Sequence, residues 1–150
     1  MTGVRMEVNV RELARLQVRI GRLGNLPKRQ LLDAIGQEVE GQTRRRISEE
    51  KTAPDGKSWK DWSPKYARTR HGGHSLLEGE GYLLDSIQYQ INPDAVEVGS
   101  NLVYAAIHQF GGDEVGINIP ARPYLGLSPD NEADIVAVVE DFLDQHLRAV

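Results

Sequence analysis

The chain has 150 residues, 39% hydrophobic and 27% charged, with a formal net charge of −4 and no cysteine. That composition fits a soluble globular chain and excludes disulfides, thiolate metal sites and cysteine nucleophiles. The longest uninterrupted apolar run, Leu102 to Ile107, is far short of the ~20 residues of a membrane span, and no signal peptide is expected.

One domain over residues 1–150 is the expectation from length. Met6 to Val10 alternates and reads as a short strand. Asn9 then caps a helix from Val10 to Leu23, with Glu12 completing a capping-box-like pair. Leu13, Leu16, Ile20 and Leu23 form its apolar stripe, and Gly24-Asn25 ends it. Pro27 opens a second, longer helix. Leu32, Ile35, Val39, Thr43 and Ile47 mark its buried face. Gly36 and Gly41 each weaken it by about 1 kcal/mol relative to alanine, and a glycine on the buried side would permit close helix approach. Arg44, Arg45 and Arg46 fall in its last turns, where the helix dipole favours cations.

Residues 51–75 read as a long irregular loop, of the kind that is usually functional or mobile. It contains both tryptophans, Trp59 and Trp62, and a turn at Pro54-Asp55-Gly56. His71-Gly72-Gly73-His74 reads as its flexible point. Leu76 to Ser86 reads as a short helix with glycine breaks. Ile87, Tyr89 and Ile91, then Val96 and Val98, predict a β-hairpin around Asn92-Pro93-Asp94. Tyr104 to Phe110 predicts another short helix, closed by Gly111-Gly112. Ile117–Ile119 and Tyr124–Leu127 read as strands flanking Pro120-Ala121-Arg122-Pro123. Ser128 and Pro129 open the last helix as N-cap and first residue. Its apolar face is Ile135, Val138, Val139, Phe142, Leu143 and Leu147. The expected fold class is α+β: two N-terminal helices, a small mostly antiparallel sheet with a hairpin, and a C-terminal helix packed on the sheet.

Charge is distributed unevenly. Residues 1–71 are net +7 and residues 72–150 net −11, and no Lys or Arg occurs from His71 to Ala121. Between Gly41 and His71 lie nine Lys/Arg and four Asp/Glu, interleaved with Trp59, Trp62 and Tyr66. Two readings stand. Cations with stacking aromatics suit nucleic acid, although the overall pI is near 5.6 and no nucleic-acid module is recognisable. Otherwise the tryptophans pin the loop and the cations meet an acidic protein surface. Signs of catalysis are weak. His71 and His74, with His108, Asp113 and Glu114, supply metal-ligand types without a metal-site spacing. His108 sits in an apolar run that suggests packing. Ser86, Ser100 and Ser128 lack a nucleophile-elbow context, and Gly79-Glu80-Gly81 lacks the rest of a phosphate-loop fingerprint.

Four segments in register carry a resemblance. They are Pro54-Asp55-Gly56-Lys57-Ser58-Trp59; Leu77, Gly81, Leu83, Ser86 and Ile87; Val96 to Ser100 followed by Tyr104 to Gly112; and Ile119 to Gly126. In this order the chain resembles the phage virion morphogenesis family, which includes Mu-like morphogenesis proteins and the tail completion proteins of P2-like phages. The likeness spans roughly residues 5–148. Glu80 departs from the hydroxyl residue more usual before that glycine. The resemblance implies a structural protein, not an enzyme, that completes the tail or joins it to the head. It implies a ring of copies, tail or head–neck partners, no cofactor, no metal, no membrane, and a setting in the bacterial host cytoplasm and the virion. Nucleic acid is the alternative partner, and a metal-dependent hydrolase on His71, His74 and His108 a remote one.

Residue by residue, Gly56 is expected to hold a turn with φ > 0, and Trp59 either to anchor the loop or to meet a partner. Arg122, set between two prolines in a half that is otherwise largely acidic, is expected to pair with Asp113 or Glu114 or to make an inter-subunit contact. A closed ring uses head-to-tail contacts, and opposite charges would steer them. The candidate interface is therefore Arg44, Arg45, Arg46, Trp59, Trp62 and Arg122 against Asp134, Asp141 and Asp144 of the last helix, or against Glu78 and Glu80.

Overall fold

The computed structural model describes residues 3–9, 27–70, 72, 74–79, 81–93 and 95–148. The expected helix from Val10 to Leu23, with Glu12 and Gly24-Asn25, lies outside them, as do His71, Glu80 and Asp94; Asn9, its expected N-cap, is the last residue of a strand.

Strands β1 (Val4–Asn9), β2 (Gln88–Ile91) and β3 (Ala95–Ser100) form one antiparallel sheet in the order β1-β3-β2. The predicted hairpin is its β2–β3 half, closed where Asn92 N donates to Ala95 O at 2.8 Å. Register places Val8 and Ile91 on either side of Val96, and Met6 and Tyr89 on either side of Val98. These residues share one face, because alternate side chains point the same way, and Val8, Val96 and Val98 are buried. The opposite face is polar, with Arg5 Nη1 bonded to Glu97 Oε2 at 2.5 Å. The hydrogen bond from Arg5, then that from Asn92, holds the Glu97 carboxyl below the usual carboxylate range.

Helix α1 (Lys28–Arg45) runs on into a π-turn, Arg46–Glu50. Every residue of its expected stripe is buried, and Leu31, Gly36, Gln42 and Arg46 join them. The buried surface is therefore wider than one stripe, because α1 has two neighbours. It covers the sheet, and the last helix covers it. Gly36 does permit a close approach, but of α1 to the sheet. A Cβ there would lie 2.4 Å from the Tyr89 ring. That ring is fixed, since its hydroxyl donates to Asp33 Oδ1 at 2.5 Å. Lys51 ends the helix in the left-handed region (φ 56°). Its ammonium donates to Leu76 O (2.7 Å), Ser75 Oγ (3.0 Å) and Glu78 Oε2 (3.2 Å), and to the helix-end carbonyl of Ile47. One lysine thus complements the helix dipole and holds the 75–78 turn.

Within the long loop lies a four-residue helix, α2 (Pro64–Ala67), capped by the Ser63 hydroxyl. Of the helix expected over 76–86, only α3 (Tyr82–Ser86) forms. Ser75 and Glu78 instead close a tight turn by two backbone bonds of 2.9 Å, with Leu77 at φ 61°. Ser86 Oγ donates to Leu83 O and lies 2.6 Å from Ser100 Oγ, tying α3 to β3. Helix α4 (Ala105–Phe110) follows the prediction and leads into a 3-10 turn, Asp113–Val115.

Neither Ile117–Ile119 nor Tyr124–Leu127 is a strand. At 124–127 the reason is that side chains occupy the backbone groups. Gln109 Oε1 accepts from Tyr124 N (3.0 Å) and Leu125 N (2.9 Å), while its Nε2 donates to Leu125 O (3.2 Å). Arg46 takes Tyr124 O and Gly126 O, and Trp59 takes Pro123 O. With both backbone groups of Tyr124 and of Leu125 and the carbonyl of Gly126 taken, a ladder has too few free groups to form there. Residues 117–119 close a local loop on Gly112 instead.

Helix α5 (Pro129–Arg148) begins as expected. Ser128 Oγ accepts from Asn131 N and Asn131 Oδ1 accepts from Ser128 N, each at 3.0 Å. This is a capping box with Asn in place of Glu or Gln. Ile135, Val139, Phe142 and Leu143 are buried, Val138 partly so. Their helix lies on α1, so it joins the sheet's core through α1 in an α+β arrangement.

Gly36→Ala tests this packing. Alanine gains ~1 kcal/mol of helix propensity but overpacks a fixed ring, at about 1–3 kcal/mol. Thermal unfolding should show a lower Tm. A raised Tm would mean that the Tyr89 ring can yield.

Candidate functional site

The loop after α1 is irregular yet anchored. Asp55 Oδ1 accepts from Lys57 N, and Gly56 takes φ 89°, as expected of that turn. Trp59 is 6% exposed, and its indole N–H donates to Pro123 O at 2.8 Å. It is therefore an anchor rather than an open contact. Arg122 is 7% exposed and pairs with neither Asp113 nor Glu114. It donates to Lys60 O (2.8 Å) and Asp61 O (3.2 Å), fastening the loop from the other side. Burial lowers its pKa, and only the Asp61 carboxylate and then Tyr66 oppose this.

The three consecutive arginines do not make a patch, since neighbours on a helix point ~100° apart. Arg44 reaches the carbonyl of Ile87 at 2.8 Å and pairs with Glu40 at 3.3 Å. Arg45 turns outward beside Glu38, 3.9 Å away. Arg46 points inward and is 2% exposed. Its guanidinium donates to Tyr124 O, Gly126 O and the side chain of Asn131. The expected interface role of Arg46 is thus overturned: it is a core cation, its pKa lowered by burial against a small opposing effect of Glu50.

What these anchors leave open is a groove of about 750 Å³ between the loop and the 104–122 segment. Trp62, Tyr66, Tyr82 and Tyr104 line it, together with His108 and Arg70. The Trp62 and Tyr66 rings meet edge to face at 6.2 Å, and Arg70 lies 4.6 Å above Tyr66. Tyr104 meets His108 edge to face at 5.7 Å. Burial, and secondarily Arg122, pushes His108 below its ordinary value of 6.5, so its ring is neutral at pH 7. Behind it, Tyr124 donates its hydroxyl to Ala105 O at 2.6 Å, and burial raises that phenol. Of the predicted site residues, only Trp62 and Arg122 line the groove. Asp134, Asp141 and Asp144 are exposed on α5, which lines no part of it. Among the described residues no three His, Asp or Glu converge on a metal-sized site.

The sequence reading missed Tyr82 and Tyr104 as groove residues, and it missed Phe110, Val115 and Ile117. These three are 72%, 68% and 46% exposed beside Gly111-Gly112 and Gly116. Apolar residues crowded into a glycine turn, with no periodic apolar partners, were the available signal.

Residues 8–147 match the phage virion morphogenesis family, and the chain belongs to it. It is 29% identical to protein G of Escherichia phage Mu, named as a capsid assembly protein, over 95% of this chain and 98% of that one. It is 45% identical to the Mu-like prophage FluMu G protein 2 of Haemophilus influenzae over 47% of this chain and 52% of that protein. Likeness to the FluMu G protein 1 of the same organism is 29% over 98 residues. No solved structure matches the chain. The resemblance read from the four segments is therefore correct, and the chain is a phage assembly protein.

Two measurements check the site. Trp59→Ala removes a buried ring and a buried hydrogen bond, and should cost about 3 kcal/mol or more in urea unfolding. For His108, the unfolded chain takes up its proton first as pH drops below ~6.5, while the folded ring stays neutral. The stability it contributes is present at pH 7 and is lost toward pH 5. His108→Gln should flatten that slope, and an unchanged slope would place the titration elsewhere.

Proposed function

We propose that the protein completes the phage tail or joins tail to head, that it acts as a ring of copies, and that it does so without catalysis. Membership of the virion morphogenesis family supports the setting most directly. The site supports a contact rather than a reaction. Its buried cation, Arg122, is committed to two carbonyls, and its half-buried imidazole, His108, is neutral at pH 7. The groove walls are aromatic and rigid, which suits a docking surface enriched in Tyr, Trp and Arg.

Head-to-tail closure requires one surface to meet a different surface of the next copy. Arg45, Lys60, Lys65, Arg68 and Arg70 are the outward cations on one side. On the other, the acidic choices are the α5 stripe Asp134, Asp141 and Asp144, or Asp113 and Glu114. Arg44 and Trp62 border the basic side. Single exposed pairs of this kind contribute only ~0–1 kcal/mol each, so isolated copies stay apart until a tail or head vertex collects them. Nucleic acid fits less well. Arg44, Arg45, Lys51 and Lys57 already have carboxylate partners, and Arg46 and Arg122 are buried, so of the basic tract only the short 60–70 stretch is left to phosphate.

A phage deleted for this gene provides the test. Its lysate should hold separate tails and filled heads, and adding the purified protein should restore joined particles seen by electron microscopy. The joining rate should fall as salt rises and screens the steering charges beyond the ~10 Å Debye length of 0.1 M. A lysate that lacks closed heads altogether would move the role to capsid formation.

A further inference from the structure

The groove and the three exposed apolar residues belong to opposite sides of one wall. Tyr104 and His108, four residues apart on α4, face the groove. Phe110 lies two positions beyond His108, so it projects from the other side of the helix. Further along, Asn118 and Ile119 line the groove, whereas Val115 and Ile117 line no part of it. The far side is a rigid knob. Gly112 N donates to Ile119 O (2.8 Å), Ile117 N to Gly112 O (2.9 Å) and Arg122 N to His108 O (2.7 Å). A Cβ on Gly112 would lie 2.4 Å from Ile117 O, so the loop closes backbone to backbone. Its apolar side chains have no interior to fill and project into solvent.

The charges around the two surfaces are opposite. The knob carries Asp113 and Glu114, and no Lys or Arg occurs from His71 to Ala121. The aromatic groove is framed by a loop whose outward charges are Lys57, Lys60, Lys65, Arg68 and Arg70 against Asp55 and Asp61. An apolar knob with an acidic rim matches an aromatic groove bordered by the basic 57–70 loop in chemistry and sign.

We infer that the occupant of this groove is the 110–117 knob of a second copy of the same chain: Phe110, Val115 and Ile117 enter against Trp62, Tyr66 and Tyr82, and Asp113 and Glu114 meet the cations of the 57–70 loop. Because knob and groove lie on opposite sides of one wall, each copy that receives a knob presents its own. The contact is heterologous and propagates, as ring closure needs. This inference rests on the ring reading above and selects the acidic surface that the ring uses.

The chain has no cysteine, so introduced thiols are unique in it. Val115→Cys and Tyr82→Cys alter exposed residues and should leave Tm unchanged. The two variants are mixed, allowed to join heads to tails, and treated with a short bifunctional thiol reagent. A cross-linked dimer should form in the mixture and with neither variant alone, and Phe110→Asp added to the Val115→Cys chain should abolish it. Dimers from Val115→Cys alone would mean a two-fold contact and overturn the inference. So would cross-linking of Tyr82→Cys to Asp141→Cys in place of Val115→Cys, although the ring would then survive. Capture of Val115→Cys by a different virion protein would replace the occupant. Normal joining with no cross-link between copies at any of these pairs would overturn the ring itself.

Discussion

The arrangement depends on one buried cation. Arg46 sits where α1, the irregular 122–127 segment and the start of α5 meet, and its guanidinium joins all three. Taking a charge out of water costs several kcal/mol, and these three hydrogen-bond partners are neutral. What offsets the cost is the fit of a planar five-donor group to acceptors that include the carbonyls of Tyr124 and Gly126, for which no other donor is at hand among the described residues. Asn131 serves twice, as acceptor for Arg46 and as the reciprocal partner of Ser128 in the α5 cap. Position and capping of the last helix are therefore set by the same side chain.

From that point the groove wall follows. A segment whose carbonyls and amides are satisfied by Arg46, Gln109 and Trp59 needs no neighbouring strand. It can be irregular and still well ordered. Because Trp59 and Arg122 fasten the long loop to this segment, the loop cannot collapse into the space beside Tyr104 and His108. Side-chain-to-backbone bonding thus keeps a groove open in a region without a sheet. The neutral His108 is part of the same economy, since a second cation beside buried Arg122 would be repelled.

How much of this was legible in the sequence varied with the physics involved. Periodicity found α1, the hairpin and α5, because their apolar faces repeat at 3.6 or 2 residues, and Ser128-Pro129 marked its helix start by hydrogen-bonding chemistry that acts locally. It failed at 117–119 and 124–127. Both stretches alternate like strands, but 117–119 folds back on the backbone of Gly112, and the backbone groups of 124–126 are claimed by Arg46 and Gln109 from elsewhere in the chain, which no local pattern reveals. It failed at Arg46 because a run of three arginines reads as a solvated patch. The phase of the helix held the correction: Arg46 lies seven residues after Val39, almost the same direction around the axis, so it had to point into the core. Trp59 and Gly56 were readable as an anchored turn. The groove was not, because it needs Trp62, Tyr82 and Tyr104 brought together from three separate segments.

An assembly protein of this kind has to avoid assembling too early. The features of the surface meet that demand by being individually weak. Exposed Val, Ile and Phe on a small knob bury little area, and the rim charges are screened by salt. In the proposed ring, rigidity and repetition would make such a contact effective. A loop closed by its own backbone bonds loses little entropy on docking, and a template that holds several copies converts each further contact into an intramolecular one at raised effective concentration. Tight pairwise affinity would give rings without a tail, and a floppy knob would give no ring with one. In the proposed contact, the glycine-closed 110–117 loop and the anchored 51–70 loop would be the two rigid halves that this balance calls for.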